Sequence, residues 1–385
     1  MKKNLKILFI PRWYPDRNDP LKGIFIRRHA LSVALKHKVA VLFVNADPEM
    51  KNKIYDSEFS VEDGISTARV YYNNSAPSFI KFFRYLKSCR LGIKIIKEKF
   101  GTPDISHIHV LARTFFIAYY YKMFNNTPYI ITEQWSGYLP EDGSYKGFLK
   151  KWLTKLAVRK ADGVTVVSKS LRDAMITYKL NNVYHIIPNV VDINQFHPAP
   201  EKKLKEKFTL LTVADMDDRA KNISGTIRVI KKISFLRNDF EYHIIGDGAD
   251  MKEMEKLAVE NKLLNNFIFF HGAKKSSEVA EAMRNADAFI LFSNYDNMPS
   301  VMTESLASGL PVIGSAIHGM MEHINNELGI LVPPCDENAL CDAIQAVLKK
   351  TKMFNADYLR EYAMNNFSYN AVSEKFDNVY KEVIL

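Results

Sequence analysis

A chain of 385 residues with 47% hydrophobic and 25% charged residues has apolar mass for two cores of ordinary domain size, which excludes a small disulfide-stapled fold and global disorder. Its formal charge of +10 is unevenly placed: residues 1–200 hold 31 basic and 16 acidic residues and residues 201–385 hold 22 and 27, so the halves carry +15 and −5. An anionic partner is expected for the first half, while Cys89, Cys335 and Cys341, without a CxxC pair or a neighbouring His cluster, read as thiols in a reducing cytosol.

Taken in chain order, the apolar run 5–10 follows Met1-Lys2-Lys3 as in a signal peptide, but it is short, broken by Lys6 and followed by Pro11-Arg12-Trp13. It therefore reads as a buried strand. Further strands are expected at 39–44, 104–109, 129–132, 163–167 and 183–187, with an amphipathic helix at 24–36. Over 79–100, Phe79, Phe82, Leu86, Cys89, Ile93, Ile96 and Phe100 form one apolar stripe at helical spacing, while Lys81, Arg84, Lys87, Arg90, Lys94, Lys97 and Lys99 occupy the other side. The stripe is expected to pack on a sheet, and the basic face to meet solvent, an anionic membrane or a phosphate-bearing acceptor.

Clustered prolines at Pro188, Pro198 and Pro200, followed by the charged run 201–207, mark an interdomain hinge. The second half repeats the alternation, with strands expected at 208–213, 242–245, 267–270, 288–292, 311–313 and 329–331 and helices at 222–236 and 251–261. Short apolar runs between amphipathic segments are the pattern of parallel sheets covered by helices. The expected fold class is α/β, with two Rossmann-like domains facing a central cleft: residues 1–197, residues 198–368, and a C-terminal helix at 369–385 packing back on the first domain. No stretch approaches the roughly 20 apolar residues of a membrane-spanning helix.

The densest motif runs from Ser293 to Ile313, where Asp296 and Glu304 stand seven residues apart across a turn, Pro299-Ser300 signals a helix start and Gly309 a helix stop. With it, the chain resembles the retaining GT-B glycosyltransferases of family 4, whose E-x7-E signature this segment matches. The other matching pieces come in the family's order: Tyr14-Pro15 with Gly23-Ile24-Phe25, His107-Ile108-His109, Thr132-Glu133-Gln134-Trp135-Ser136-Gly137, Ile187-Pro188-Asn189 with Asp192 and Phe196, Lys221-Asn222, Gly246-Asp247-Gly248 and His271-Gly272.

The resemblance implies a nucleotide-sugar donor bound by Gly23, Arg219, Lys221, Gly246, Asp296, Asn297, Ser300, Val301 and Glu304. Lys221 would stabilise the leaving diphosphate, Glu304 the ribose hydroxyls and Asp296 the donor sugar, with Ser300 and Val301 presenting backbone N–H groups at a helix start. His109, Glu133 and Trp135 would lie on the acceptor side, and Gln134 in the catalytic centre. Two positions depart from the family: Asp215 replaces an arginine, and Gln134 replaces a histidine and so cannot titrate. The implied protein is a metal-free hexosyltransferase acting on a lipid-linked or growing glycan in surface polysaccharide synthesis, cytoplasmic and peripheral on the inner membrane face through its basic half. A catalytically silent glycan- or nucleotide-binding assembly partner is the alternative, and nucleic acid is not an expected partner.

Overall fold

The structure, a computed structural model, describes residues 4–201 and 205–384; Met1-Lys2-Lys3 and part of the charged run at 201–207 lie outside the described residues. The chain forms two compact units: Met1–Val167, Leu171–Val190 and Tyr369–Leu385 make the first, and Ser168–Ser170 with Val191–Ser368 the second.

The first unit holds an eight-stranded sheet in the order β3-β4-β2-β1-β5-β6-β7-β8, built from β1 (Lys6–Pro11), β2 (Lys38–Asp47), β3 (Tyr55–Glu62), β4 (Ile65–Asn73), β5 (Ile105–His109), β6 (Tyr129–Glu133), β7 (Gly163–Val166) and β8 (Tyr184–Ile186). Its helices are α1 (Ile24–Ala34), α2 (Ser78–Lys99), α3 (Phe115–Asn125), α4 (Phe148–Lys160) and α5 (Lys169–Thr177). Ile7 to Ile10 are wholly buried, as a strand covered on both faces must be. All neighbours pair in parallel except β3, which runs antiparallel to β4. This hairpin is absent from the sequence expectation. Its turn, Asp63-Gly64, takes positive φ at both residues, 50° and 77°, the primed turn that matches strand twist.

On α2 the buried face is Tyr85, Ser88, Cys89, Gly92 and Ile96, rotated from the expected stripe, and Phe79 and Phe82 are exposed. The cause is steric. A Cβ at Gly92 would overlap the Leu42 side chain, so the small residues Ser88 and Gly92 let the helix backbone close on β2.

The second unit holds a six-stranded parallel sheet in the order β11-β10-β9-β12-β13-β14, from β9 (Phe208–Val213), β10 (Phe240–Ile245), β11 (Ile268–Phe270), β12 (Ala288–Leu291), β13 (Val312–Ser315) and β14 (Gly329–Val332). Its helices are α6 (Asp218–Lys221), α7 (Ile223–Ser234), α8 (Met251–Glu260), α9 (Ser276–Asn285), α10 (Ser300–Ala307), α11 (His318–His323), α12 (Glu337–Leu348) and α13 (Ala356–Phe367). Leu210, Ile227, Tyr242, Ile290 and Ile344 anchor its core. The last helix, α14 (Tyr369–Ile384), belongs to the first unit. Phe376, Val379 and Tyr380 enter that core beside Phe9 and Ile105, while Lys36, in the turn after α1, pairs with Asp377 at 3.3 Å.

Candidate functional site

In the second unit, strand order reverses direction at β9, which is flanked by β10 and β12. At such a switch point the loops leaving neighbouring carboxyl ends part and open a crevice. The loops after β9 and β12, with the start of α10, carry the predicted donor residues other than Gly23 and Gly246. Asp217 caps α6 by accepting from the Ala220 N–H, and Lys221 ends that single turn. Its ammonium donates to the Asp296 carboxylate at 2.5 Å, with both side chains about four-fifths buried. Asn294 fastens the two loops: its backbone N–H donates to the Ala220 carbonyl (2.8 Å) and its side-chain amide to that of Arg219 (2.9 Å).

Burial pulls the Lys221 pKa down, but Asp296, with Asp215 and Asp217 behind it, more than offsets this and holds it above the usual lysine value. The ammonium is thus permanent. Burial and the neighbouring Asp217 push Asp215 upward, against the lowering effect of Lys221. Lys221 therefore faces the three carboxylates of Asp296, Asp215 and Asp217, with Arg219 exposed nearby.

Gly246 ends β10 with φ 145°, and a Cβ there would overlap the Ala214 carbonyl oxygen. The glycine is required by the packing of one loop on the next; the Met216 N–H donates to the Asp247 carbonyl at 3.0 Å across the same contact. Asn297 is buried and accepts the Gly319 N–H at its carbonyl (2.9 Å). Ser300 and Val301 open α10 behind Pro299, and Glu304, one turn in, is buried.

In the first unit the reversal falls between β1 and β5. Gly23 has φ 68° and caps α1, pressed against the Trp13-Tyr14 backbone so closely that a Cβ would overlap it. Glu133 corrects the acceptor-side expectation. It is wholly buried and accepts the backbone N–H groups of Leu111 (3.1 Å), Gln134 (3.0 Å) and Trp135 (3.1 Å) and the Tyr138 hydroxyl (3.3 Å). Its carboxylate organises the loops that follow β5 and β6. Burial raises its pKa, partly countered by those donors.

His109 is likewise internal. It stacks on Phe9 at 4.4 Å, tilts against His107 at 4.1 Å and lies 5.7 Å from His29; neither ring nitrogen has a hydrogen-bond partner among the described residues. Burial holds all three imidazoles below their ordinary pKa, His29 at about 4. His107 is held between Tyr380 (2.7 Å) and Thr132 (2.6 Å).

Gln134 is half-buried, its amide nitrogen donating to Asn189 Oδ1 (3.1 Å) and lying 3.3 Å from His29 Nδ1. Since His29 Nε2 lies 3.0 Å from the Pro188 carbonyl, the consistent tautomer carries its proton on Nε2 and accepts from Gln134. Sequence reading missed the cations around Trp135: Lys150 stands 3.8 Å and Arg12 5.6 Å from its ring, and Arg12 also covers Trp13 at 4.9 Å. The signal for Arg12 was a basic residue between the first strand and a tryptophan.

Residues 194–365 match the family model described as glycosyl transferases group 1, and residues 30–195 that of glycosyltransferase family 4. The chain is 24% identical over 360 residues, 88% of each chain, to the putative teichuronic acid biosynthesis glycosyltransferase TuaC of Bacillus subtilis strain 168. Over 208 residues, 51% of this chain and 53% of that one, it is 26% identical to the phosphatidyl-myo-inositol mannosyltransferase of Mycobacterium leprae. Its fold is similar to that of sucrose-phosphate synthase from Thermosynechococcus elongatus (TM-score 0.78, 20% identity, 99% of each chain). It is also similar to Anabaena HepE in complex with UDP and glucose (TM-score 0.74, 14% identity, 98% of this chain and 100% of that).

Proposed function

This chain belongs to the group 1 glycosyltransferases, with the two parallel-sheet domains of the GT-B fold, and from that premise we propose a retaining enzyme that moves a hexose from a nucleotide sugar to a lipid-linked or growing glycan. The carrying observation is the largely buried Lys221–Asp296 pair at the switch point of the second sheet. As the bond from the anomeric carbon to the diphosphate lengthens, negative charge gathers on the leaving oxygen. A fixed ammonium in a partly desolvated site stabilises that charge without reorganising. Asp296 keeps Lys221 in place through Oδ2 and presents Oδ1 to a hydroxyl of the donor sugar.

The acceptor hydroxyl attacks from the face the diphosphate is leaving, passing its proton to the departing oxygen, so the configuration at the anomeric carbon is kept and no enzymic nucleophile is needed. Gln134, unable to take a proton, fits this route because the leaving group is the base. Glu304 meets the ribose, the start of α10 meets the phosphates, and the cations that flank Trp135 lie on the acceptor side. The reaction is proposed to need no metal ion, so chelation leaves the rate unchanged. Relatives named for teichuronic acid biosynthesis and for phosphatidyl-myo-inositol support an acceptor carried on a lipid or surface glycan, met at the inner membrane face by the basic first half.

A thermal-shift panel of nucleoside diphosphates and their sugars identifies the donor, since a ligand of the folded state alone raises stability in proportion to the logarithm of its concentration over Kd. With that donor, Lys221→Ala lowers turnover by about 10²–10³, and the anomeric proton coupling of the product reports retention. A loss under about twofold removes Lys221 from the mechanism. Negligible transfer by wild type and variant alike, with the nucleotide still bound, selects the silent binding protein that Asp215 beside Lys221 favours.

A further inference from the structure

The first unit leaves more apolar side chain in solvent at one helix end than its packing explains. Helix α4 opens Phe148-Leu149-Lys150-Lys151-Trp152, and Phe148, Leu149 and Trp152 are 86%, 65% and 53% exposed. The helix packs through Thr154, Ala157 and Val158, so its first turn projects beyond its own contact with the sheet. Lys155 and Arg159 continue the outward face and are exposed. Helix α2 repeats the arrangement: Phe79 and Phe83 are each 65% exposed, and Lys87, Arg90 and Lys94 follow on the solvent side.

These two helix starts share an edge. Both α2 and α4 follow parallel strands, β4 and β6, and cross the sheet in the same direction, to β5 and β7. Right-handed crossovers put them on one face, with their N-termini at the carboxyl edge. Helix α3 lies between, touching α2 through Phe82 and Phe116 (ring centroids 6.1 Å apart) and the segment after α4 through Lys122 and Asp162 (2.8 Å). Neither α2 nor α4 has an acidic residue in its first turn, so no carboxylate of either helix start opposes an approaching anion.

We propose that this edge docks on an anionic lipid bilayer, with Phe148, Leu149 and Trp152 entering the boundary between headgroups and acyl chains and the lysines and arginines behind them meeting lipid phosphates. Aromatic residues ahead of a basic collar match the chemistry of that boundary. The excess of 31 basic over 16 acidic residues in residues 1–200 complements an anionic surface. The inference rests on the proposed lipid-linked acceptor and adds the element that meets the membrane: attachment is partly apolar, where a basic helix alone would be released by salt.

The test is sedimentation of the full chain with phosphatidylcholine vesicles, with and without phosphatidylglycerol. Binding requires phosphatidylglycerol and persists in part at high salt. The double variant Phe148→Ser, Trp152→Ser lowers partitioning by roughly a hundredfold, two large side chains at about tenfold each, with Tm and nucleoside diphosphate binding unchanged. Brominated acyl chains quench tryptophan fluorescence of the wild type, and Trp152→Phe removes that quenching while vesicles are still bound. Equal binding by wild type and double variant overturns the proposal, as does binding abolished by salt. Vesicle-independent self-association that the double variant breaks also overturns it, assigning the edge to a second copy of the chain. Transfer to a lipid-linked acceptor in detergent without vesicle binding sinks the docking alone; vesicle binding without transfer to any lipid-linked acceptor sinks the acceptor reading alone.

Discussion

Asp215 and His109 show how a single side chain sets a measurable property of each unit. Asp215 adds a negative charge beside the ammonium that is proposed to meet a diphosphate. Removing it with Asp215→Asn is expected to lower the Kd for the cognate nucleoside diphosphate a few-fold, roughly 1 kcal/mol for one partly exposed charge, measured by calorimetry. A weaker complex would mean that the carboxylate itself contacts the ligand. His109 belongs to the neutral, buried imidazole cluster. Above the unfolded value near 6.5 both states are uncharged; below it the unfolded chain takes up protons that the folded cluster refuses. Stability therefore falls as the pH drops from about 6.5 toward the His29 value of about 4. His109→Phe, which keeps the stacking on Phe9, should reduce that slope by up to about 1.4 kcal/mol per pH unit in urea titrations. An unchanged slope would show that His109 gains its proton in the folded state.

At the level of elements, legibility followed unbroken apolar runs. Strands covered on both faces, such as β1 and β12, read as unbroken apolar runs because every residue meets the core. In the β3–β4 hairpin, β3 escaped because Ser57, Glu58 and Phe59 face solvent, and β4 escaped although buried because Thr67, Arg69 and Asn73 interrupt its apolar run, so only Asp63-Gly64 announced the pair. The rotation of α2 was illegible for a different reason: the contact depends on what Gly92 and Ser88 lack, and a periodicity of large side chains gives small ones no weight. Among site residues, Lys221 and Asp296 could be named from their loops, and the structure pairs them. Lys150 could not, because its place over Trp135 depends on how the 139–147 loop returns. The β10 loop makes the sharper prediction. Gly246→Ala should cost about 2–3 kcal/mol before any ligand is added, since the new methyl meets the Ala214 carbonyl at a φ that side chains resist, and nucleotide binding should weaken with it. A variant as stable as the wild type would show that the loops after β9 and β10 can part freely.

For the whole molecule, the first unit is assembled from separated stretches of chain, while the second is inserted within it. Tyr380 of α14 is hydrogen-bonded to His107 in the middle of the first sheet, and Phe376 lies against the rings of His29 and His107. A chain ending at Ser368 should therefore lose hydrogen-exchange protection in β1 and β5 while β9 to β12 stay protected; equal protection in both sheets would show that α14 is dispensable. The same connectivity orders events during synthesis. The ribosome delivers every strand of the first sheet early, but the helix that closes its core only after all of the second unit has been made, so the histidine-lined interior stays open for the whole of that interval. The second unit can fold as it emerges, and the basic unit, with its exposed aromatic helix starts, is the last to be sealed.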